Sequence, residues 1–261
     1  MLLQNSYKRL LRTKLSRMST TMRAVEISET GDSSVLKLVE KPIPTVGPKD
    51  LLVKSKYAGV NFIDTYHRSG VYPLRSNILG MEGAGEVIAV GESVGDSVKP
   101  GDIVAWAGAT SSYAEYVLVN CDKAVTVPAG VETETACAAM LQGLTAHYLV
   151  SSVYQIKEND WALVHAAAGG VGQLLVQMVK ARGGKVIATC GTEEKAVLAR
   201  AAGADHVIIG YDNFSAEVKR VADGKGVHVV YDGVGKDTFI GSLDSLRPRG
   251  MMALFGGASG Q

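Results

Sequence analysis

From Trp161 to Gln261, strand-like and helix-like segments take turns along the chain, and that alternation leaves few architectures open. "WALVHA", "KVIATC", "HVIIG", "VHVVYD" and "MMALFG" are short apolar runs rich in Val, Ile and Ala. Between them lie segments with helical spacing, from about Val171 to Arg182, Glu193 to Ala202, Phe214 to Ala222 and Asp237 to Leu246. Strands separated by helices of this length build a parallel, doubly wound α/β sheet. The turn after the first strand reads "AAAGGVG". In such a sheet this turn is where a dinucleotide pyrophosphate meets a helix N-terminus. Gly169 or Gly170 lets the backbone approach the phosphates, and Gly172 lets the helix pack closely on the sheet. Ala166 stands where the first glycine of the fingerprint falls, so the turn is expected to form without a positive φ there.

The chain before this region follows another period. "MRAVEISETG", "VLKLVEKPIPTVGPKDLLVKSKYAGVN" and "GAGEVIAVGESVGDSVKPGDIVAW" alternate apolar and polar residues between Pro and Gly punctuation. That is the pattern of short antiparallel strands. "SYAEYVLVNCDKAVTVPAG" adds two more, so residues 22 to about 130 read as a mostly-β, barrel-like unit. "ETETACAAMLQGLTAHYLVSSVY" then takes up helical spacing. The expected division is residues 1–21 as a basic extension, 22–143 as the β-rich domain and 144–261 as the nucleotide-binding domain.

Charge is uneven. Six of the 27 basic residues lie in residues 1–23, which hold no acidic side chain, leaving 21 basic against 26 acidic residues beyond them. The extension is rich in Ser and Thr, with Leu3, Tyr7, Leu10, Leu11 and Leu15 on one helical face. This is the composition of a mitochondrial transit peptide. A disordered basic tail, or upstream sequence before a start at Met18 or Met22, is the alternative. A cytoplasmic protein, with mitochondrial targeting by residues 1–21, is the expectation. No apolar run reaches the ~18 to 20 residues of a membrane span. Cys121, Cys137 and Cys190 are odd in number and far apart, which argues against a disulfide framework. The acidic balance after residue 23, without an aromatic–basic stripe, argues against RNA binding.

"NFIDTYHRSGVYP", "MLQGLTAHYLV", "VHAAAGGVGQLLVQ" and "VVYDGVGKDTF" occur in this order between Met22 and Gln261. On these motifs the chain resembles the zeta-crystallin-type quinone oxidoreductases, zinc-independent members of the medium-chain dehydrogenase/reductases. The resemblance implies a GroES-like β-barrel catalytic domain followed by a Rossmann domain. It implies NADPH-dependent reduction of quinones, of the ortho type, in a homodimer joined at a sixth Rossmann strand. Only five such strands can be counted here, so the Rossmann domain is expected to be truncated after the fifth. The expectation that follows is an exposed apolar sheet edge and weak activity without the missing part.

The resemblance also assigns residues. Asn61, Tyr66 and Tyr72 match positions lining the cleft beside the nicotinamide and are the expected catalytic residues. Asn61, Asp64, Tyr72, Thr145, Gly169, Gly170, Val171, Gly172, Gly191, Thr192, Lys195, Tyr211, Gly233, Phe255 and Gly256 are the expected cofactor-binding residues. Surface packing for the tyrosines, an exposed turn carboxylate for Asp64 and a hydroxyl bonded back to its own helix for Thr145 are the bland alternatives. Zinc dehydrogenases of the superfamily carry a Cys where Asn61 stands and a His where "GMEGAGE" has Met81, so no metal site is expected. Without a Lewis acid, a quinone is a fitting acceptor: it is already electrophilic and aromatises as it takes up electrons, so holding it at the nicotinamide supplies much of the catalysis. An activated enone (alkenal) is the alternative acceptor. An RNA-binding protein, or a cofactor-binding protein with little turnover, is the alternative from another class.

The cofactor is expected to be NADPH rather than NADH. NAD-preferring folds place an Asp or Glu at the tip of the second strand to hold the ribose hydroxyls. Here that tip reads Cys190, Gly191 and Thr192. Lys195 and Tyr211 match family positions that hold the 2′-phosphate. Against this stand Glu193 and Glu194, which would repel a phosphate unless they act as first-turn helix residues favoured by the dipole. An ordinary solvated lysine is the competing reading of Lys195.

Overall fold

The computed structural model describes residues 20–260, so the basic extension and its expected targeting role lie, but for its last two residues, outside the described residues. The chain forms two compact units, Met1–Leu141 and Gln142–Gln261.

The first unit is β-rich. Strands β1 (Thr21–Glu26), β2 (Lys37–Pro42) and β3 (Asp50–Ala58) precede helix α1 (Phe62–Ser69), and β4 (Glu82–Val90), β5 (Ile103–Ala107), β6 (Tyr116–Asn120) and β7 (Ala124–Thr126) follow it. An antiparallel sheet runs in the order β6-β3-β4-β5-β7, with β1 and β2 paired as a separate ribbon. The ribbon is tied to the sheet's side by Val25 N–H donating to Tyr113 O at 2.8 Å and Glu115 N–H to Arg23 O at 3.1 Å. Alternation along β3, β4, β5 and β6 turns Leu51, Val53, Val87, Val104, Trp106, Val117 and Val119 into one buried core. The register of β3 against β4 shifts at Leu52/Val53 and again at Ser55/Tyr57, bends of the kind that curl a sheet toward closure.

One helix stands within this mostly-β region. "FIDTYHRS" is a helix, α1, because Asn61 stands in extended conformation at its N-cap while the Asp64 carboxylate reaches back to the Asn61 N–H. Gly70, at φ 82°, ends the helix in the left-handed conformation a side chain rarely adopts.

Helix α2 (Thr133–Tyr148) leads through a wider, π-helical turn at Leu149–Val153 to the second unit's sheet. That sheet is parallel, in the order β10-β9-β8-β11-β12, with β8 (Trp161–Val164), β9 (Lys185–Cys190), β10 (His206–Ile209), β11 (Val227–Asp232) and β12 (Leu246–Leu254). Its crossovers are α3 (Gly170–Ala181), α4 (Glu193–Ala201), α5 (Phe214–Val221) and α6 (Phe239–Ser245). The chain starts in mid-sheet, moves one way through β9 and β10, then returns to build β11 and β12 on the other side. This is the doubly wound Rossmann topology, with its switch point between β8 and β11. β12 begins at Leu246, five residues before the expected "MMALFG". Its pairing with β11 skips from Val227↔Leu246 to Val229↔Met251, and the four-residue excursion passes through Arg249 at φ 65°. β12 is an edge strand, and Met251 and Leu254 are exposed on it. Among the described residues no helix is long and apolar enough to cross a membrane.

Candidate functional site

In the second unit the carboxyl ends of the parallel strands gather nearly all of the sequence-predicted cofactor residues of that unit. After β8 the chain turns through Ala166–Gly169 into α3. Gly169 N–H donates to Ala166 O at 2.9 Å, and Ala167 N–H to Thr189 O at 3.1 Å. Ala166 sits at φ 46°. This corrects the expectation of a turn without positive φ: the tight reversal demands a left-handed residue whatever its identity, and the alanine carries the strain. Gly169, by contrast, has φ −74°. Gly172 is required by proximity, since a methyl group there would stand 2.4 Å from Ala166 O. The N-cap of α3, Gly169, has no side chain to cap the helix, and the Gln142 side-chain carbonyl oxygen stands 1.9 Å from where a methyl on Gly170 would fall, at the positive end of the helix dipole.

Beyond β9 comes Gly191, around which a methyl would meet nothing within 4 Å. Thr192 caps α4 by accepting from Lys195 N–H at 3.4 Å. Both glutamates that follow are engaged. Glu193 accepts from Arg200, and the Glu194 carboxyl is held below its ordinary range by its own backbone N–H and the Thr192 hydroxyl. They are first-turn helix residues, and Lys195 is exposed beside them. Lys195 and Arg200 are both close enough to act on the buried Cys190 thiol, although burial is the stronger influence and pushes that thiol up. Tyr211, after β10, stands beside Thr189 and the Ala166 backbone, with burial pushing its phenol up. Gly233 and Phe255 close the far side: a methyl on Gly233 would lie 3.0 Å from the Phe255 ring, and one on Gly256 would lie 2.8 Å from Gly233 O. Val171 lies in the first turn of α3, and Thr145 is half-buried on α2.

Beneath this surface lies a polar network that sequence reasoning missed. His165 Nδ1 bonds Thr189 Oγ1 at 2.7 Å and its Nε2 bonds Ser242 Oγ at 2.9 Å. Ser242 and Thr238 hydroxyls donate to Asp232, which also accepts the N–H groups of Val234 and Gly235. Burial pushes His165 down to about 4, against the opposing pull of Asp232.

The first unit brings Asn61, Asp64, Tyr66 and Tyr72 together on and around α1. Tyr66 and Tyr72 rings lie 5.2 Å apart, and Phe62 packs on Tyr66 at 5.4 Å. Asp64 is not an exposed turn carboxylate. It is 6% exposed, and its Oδ2 accepts from Asn61 N–H at 2.9 Å and from the Tyr113 hydroxyl at 2.6 Å. Its Oδ1 is buried without a hydrogen-bond partner among the described residues. Asn61 Nδ2 donates to Glu82 Oε1 at 2.8 Å, and Leu141 N–H donates to Glu82 Oε2 at 2.6 Å. Burial pushes the Glu82 carboxyl up, while those two donors pull it back. Cys137 is pushed up to about 11 by burial, with Glu82 adding to it. Glu82 and Tyr113 had no local signal in the sequence; the Asn61-to-Asp64 spacing of a capping box was the one clue to their neighbourhood. Among the described residues no three His, Cys, Asp or Glu side chains converge as metal ligands.

Two family models match the chain, an alcohol dehydrogenase GroES-like domain over residues 47–156 and a zinc-binding dehydrogenase over residues 170–261. A probable quinone oxidoreductase of Schizosaccharomyces pombe is 45% identical over 238 residues, covering 90% of this chain and 72% of the relative. A 2-haloacrylate reductase of a Burkholderia species is 39% identical over 229 residues, covering 85% of this chain and 69% of the relative. Among solved structures, the Escherichia coli quinone oxidoreductase complexed with NADPH superposes with a TM-score of 0.88 at 42% identity, covering 91% of this chain and 74% of that one.

Proposed function

Because this chain belongs to the quinone oxidoreductase family of the medium-chain dehydrogenase/reductases, we propose that it uses NADPH to reduce quinones. The observation that carries the cofactor choice is the tip of β9, where Glu193 and Glu194 are drawn into the first turn of α4 and Lys195 stands exposed beside them.

The residues fit NADPH. The N-terminus of α3, with glycines at its N-cap and first position, suits the pyrophosphate, and the close packing at Gly172 keeps that helix against the turn. Lys195, by charge, and Tyr211, by its hydroxyl or ring, would hold the 2′-phosphate and adenine end. Gly233, Phe255, Gly256 and Thr145 would line the way to the nicotinamide. Bound NADPH supplies the two reducing equivalents. Asn61, Tyr66 and Tyr72 would hold and orient the quinone, whose oxygens need hydrogen-bond donors as negative charge develops on them. The tyrosine pair offers an aromatic face as well as hydroxyls, which suits a flat, conjugated acceptor.

A charge-assisted phosphate contact contributes about 1.5 to 3 kcal/mol, or roughly 10- to 150-fold in affinity. Lys195→Ala is therefore expected to raise the dissociation constant for NADPH at least ~tenfold while leaving NADH nearly unchanged, measured by calorimetry. Equal losses for both cofactors would remove Lys195 from the assignment. Turnover is tested with ortho-quinones and with an activated enone side by side. The 2-haloacrylate reductase among the relatives makes the enone the second reading, and faster enone reduction would promote it.

We propose further that residues 1–21 direct the chain to mitochondria, which an import assay on a fusion of that segment tests. A homodimer of the family type is the further proposal, and a monomeric mass in sedimentation would exclude it.

A further inference from the structure

Glu82 is the most deeply buried acidic side chain of the first unit, at 1% exposed, and no Lys, Arg or His pairs with it among the described residues. A carboxylate in that position is costly to fold around, and a hydrophobic residue of similar size would be cheaper. The chain nevertheless makes room for it. A methyl group on Gly59 would stand 1.8 Å from Glu82 Oε1, so a glycine is needed where the carboxylate lies. One oxygen holds the Asn61 amide and the other holds the Leu141 N–H on α2.

The polarity of the first contact has a consequence. A carboxylate accepts and cannot donate, so Asn61 is compelled to face Glu82 with Nδ2, and the rotation of its amide is settled. Asn61 is also the N-cap of α1, the helix that carries Asp64 and Tyr66 and whose end leads to Tyr72. We propose that Glu82 is a positioning residue for reduction of the acceptor: it sets the orientation of the Asn61 amide and anchors the start of the helix bearing the tyrosines. This rests on the reading of Asn61 as a site residue.

A double-mutant cycle tests it. Asn61→Ala, Glu82→Gln and the double variant are compared for kcat and KM in NADPH-dependent quinone reduction, with Tm and the NADPH dissociation constant measured on the same samples. The glutamine must turn its own N–H₂ either toward Asn61, whose amide then has to rotate and accept with Oδ1, or toward the Leu141 N–H, whose contact is then lost. Each single variant is expected to lower kcat about 10- to 100-fold, as misplacement of a reacting group does. The double variant is expected to lose no more than the worse single one, because the two residues act as one unit. A residue that only stabilised the fold would lower Tm without this coupling in kcat. Losses that multiply, or an unimpaired Glu82→Gln beside an impaired Asn61→Ala, overturn the inference while leaving Asn61 in the site. An unimpaired Asn61→Ala overturns the site reading and the inference with it.

Asn61→Asp gives a second route if Glu82→Gln does not fold. It sets two carboxylates against each other, and the pair then needs a shared proton. Asp64, Tyr113 and Cys137 also face this pocket, and the wild type has them too, so the ratio of variant to wild-type kcat is the quantity read. That ratio is expected to climb as pH falls. A flat ratio overturns the inference.

Discussion

Each unit buries carboxylate chemistry, and the two do so on opposite terms. In the second unit Asp232 is fully enclosed yet accepts from two backbone N–H groups and two hydroxyls, and the neighbouring His165 is bonded through both ring nitrogens. In the first unit Asp64 lies close enough to Glu82 to raise its cost, each accepts two donors, and Asp64 Oδ1 has no partner among the described residues. A saturated network stabilises and specifies a core, whereas an under-satisfied one is a cost the fold retains at a site. The first therefore serves as a foundation beneath the glycine-rich turn, and the second lies around the start of α1.

The widest gap between the two should come from removing an acceptor. Asp232→Ala strands four donors in a sealed core and is expected to destabilise the protein by about 3 to 5 kcal/mol in denaturant unfolding. A loss below ~1 kcal/mol would show that the network is not a foundation.

Acid should act next, through His165. Its folded pKa, about 4, lies below the ordinary 6.5, so the unfolded chain takes up the proton first as pH falls. The stability it contributes is whole above pH 6.5 and drains away between 6.5 and 4, a loss on the order of 3 kcal/mol. His165→Gln should remove most of that slope in urea titrations run across the window, and an unchanged slope would clear His165 of responsibility.

Glu82 should behave in the contrary sense. Its folded pKa is raised above the ordinary 4.5, so below the raised value the folded state binds the proton more readily and stability grows as pH falls toward 4.5. Glu82→Gln at neutral pH is accordingly expected to shift stability by less than ~1 kcal/mol, or to raise it, even as turnover drops. A loss as large as that of Asp232→Ala would erase the contrast between the two regions.

The smallest effect concerns the turn that the network supports. Ala166→Gly relieves the left-handed strain but adds backbone entropy to the unfolded chain, for a net stabilisation of roughly 0.5 to 1 kcal/mol. Thermal unfolding would reveal a destabilisation instead if the φ of 46° were held by a favourable contact of the alanine methyl.

What the sequence determined by itself was whatever repeats locally. Val- and Ile-rich runs spaced by helical segments announced the parallel sheet, and the strand-to-helix turn at Gly169–Gly172 could be placed from its position in that alternation. The absence of a carboxylate at Cys190–Gly191–Thr192 was equally visible. Helix α1 was legible in principle, since Asn61, Asp64 and Gly70 spell its two ends, but the β pattern on either side masked a helix of only two turns. The rest had no local trace. Ala166 takes a glycine's conformation because the turn it closes is dictated by β8, β9 and α3 together. Glu82 meets Asn61 across 21 residues and His165 meets Ser242 across 77, distances over which no periodicity carries information. Hydrogen-bond partners so far apart in the chain are chosen by the packing of the sheets, and only the tertiary structure could decide which polar groups would be buried together.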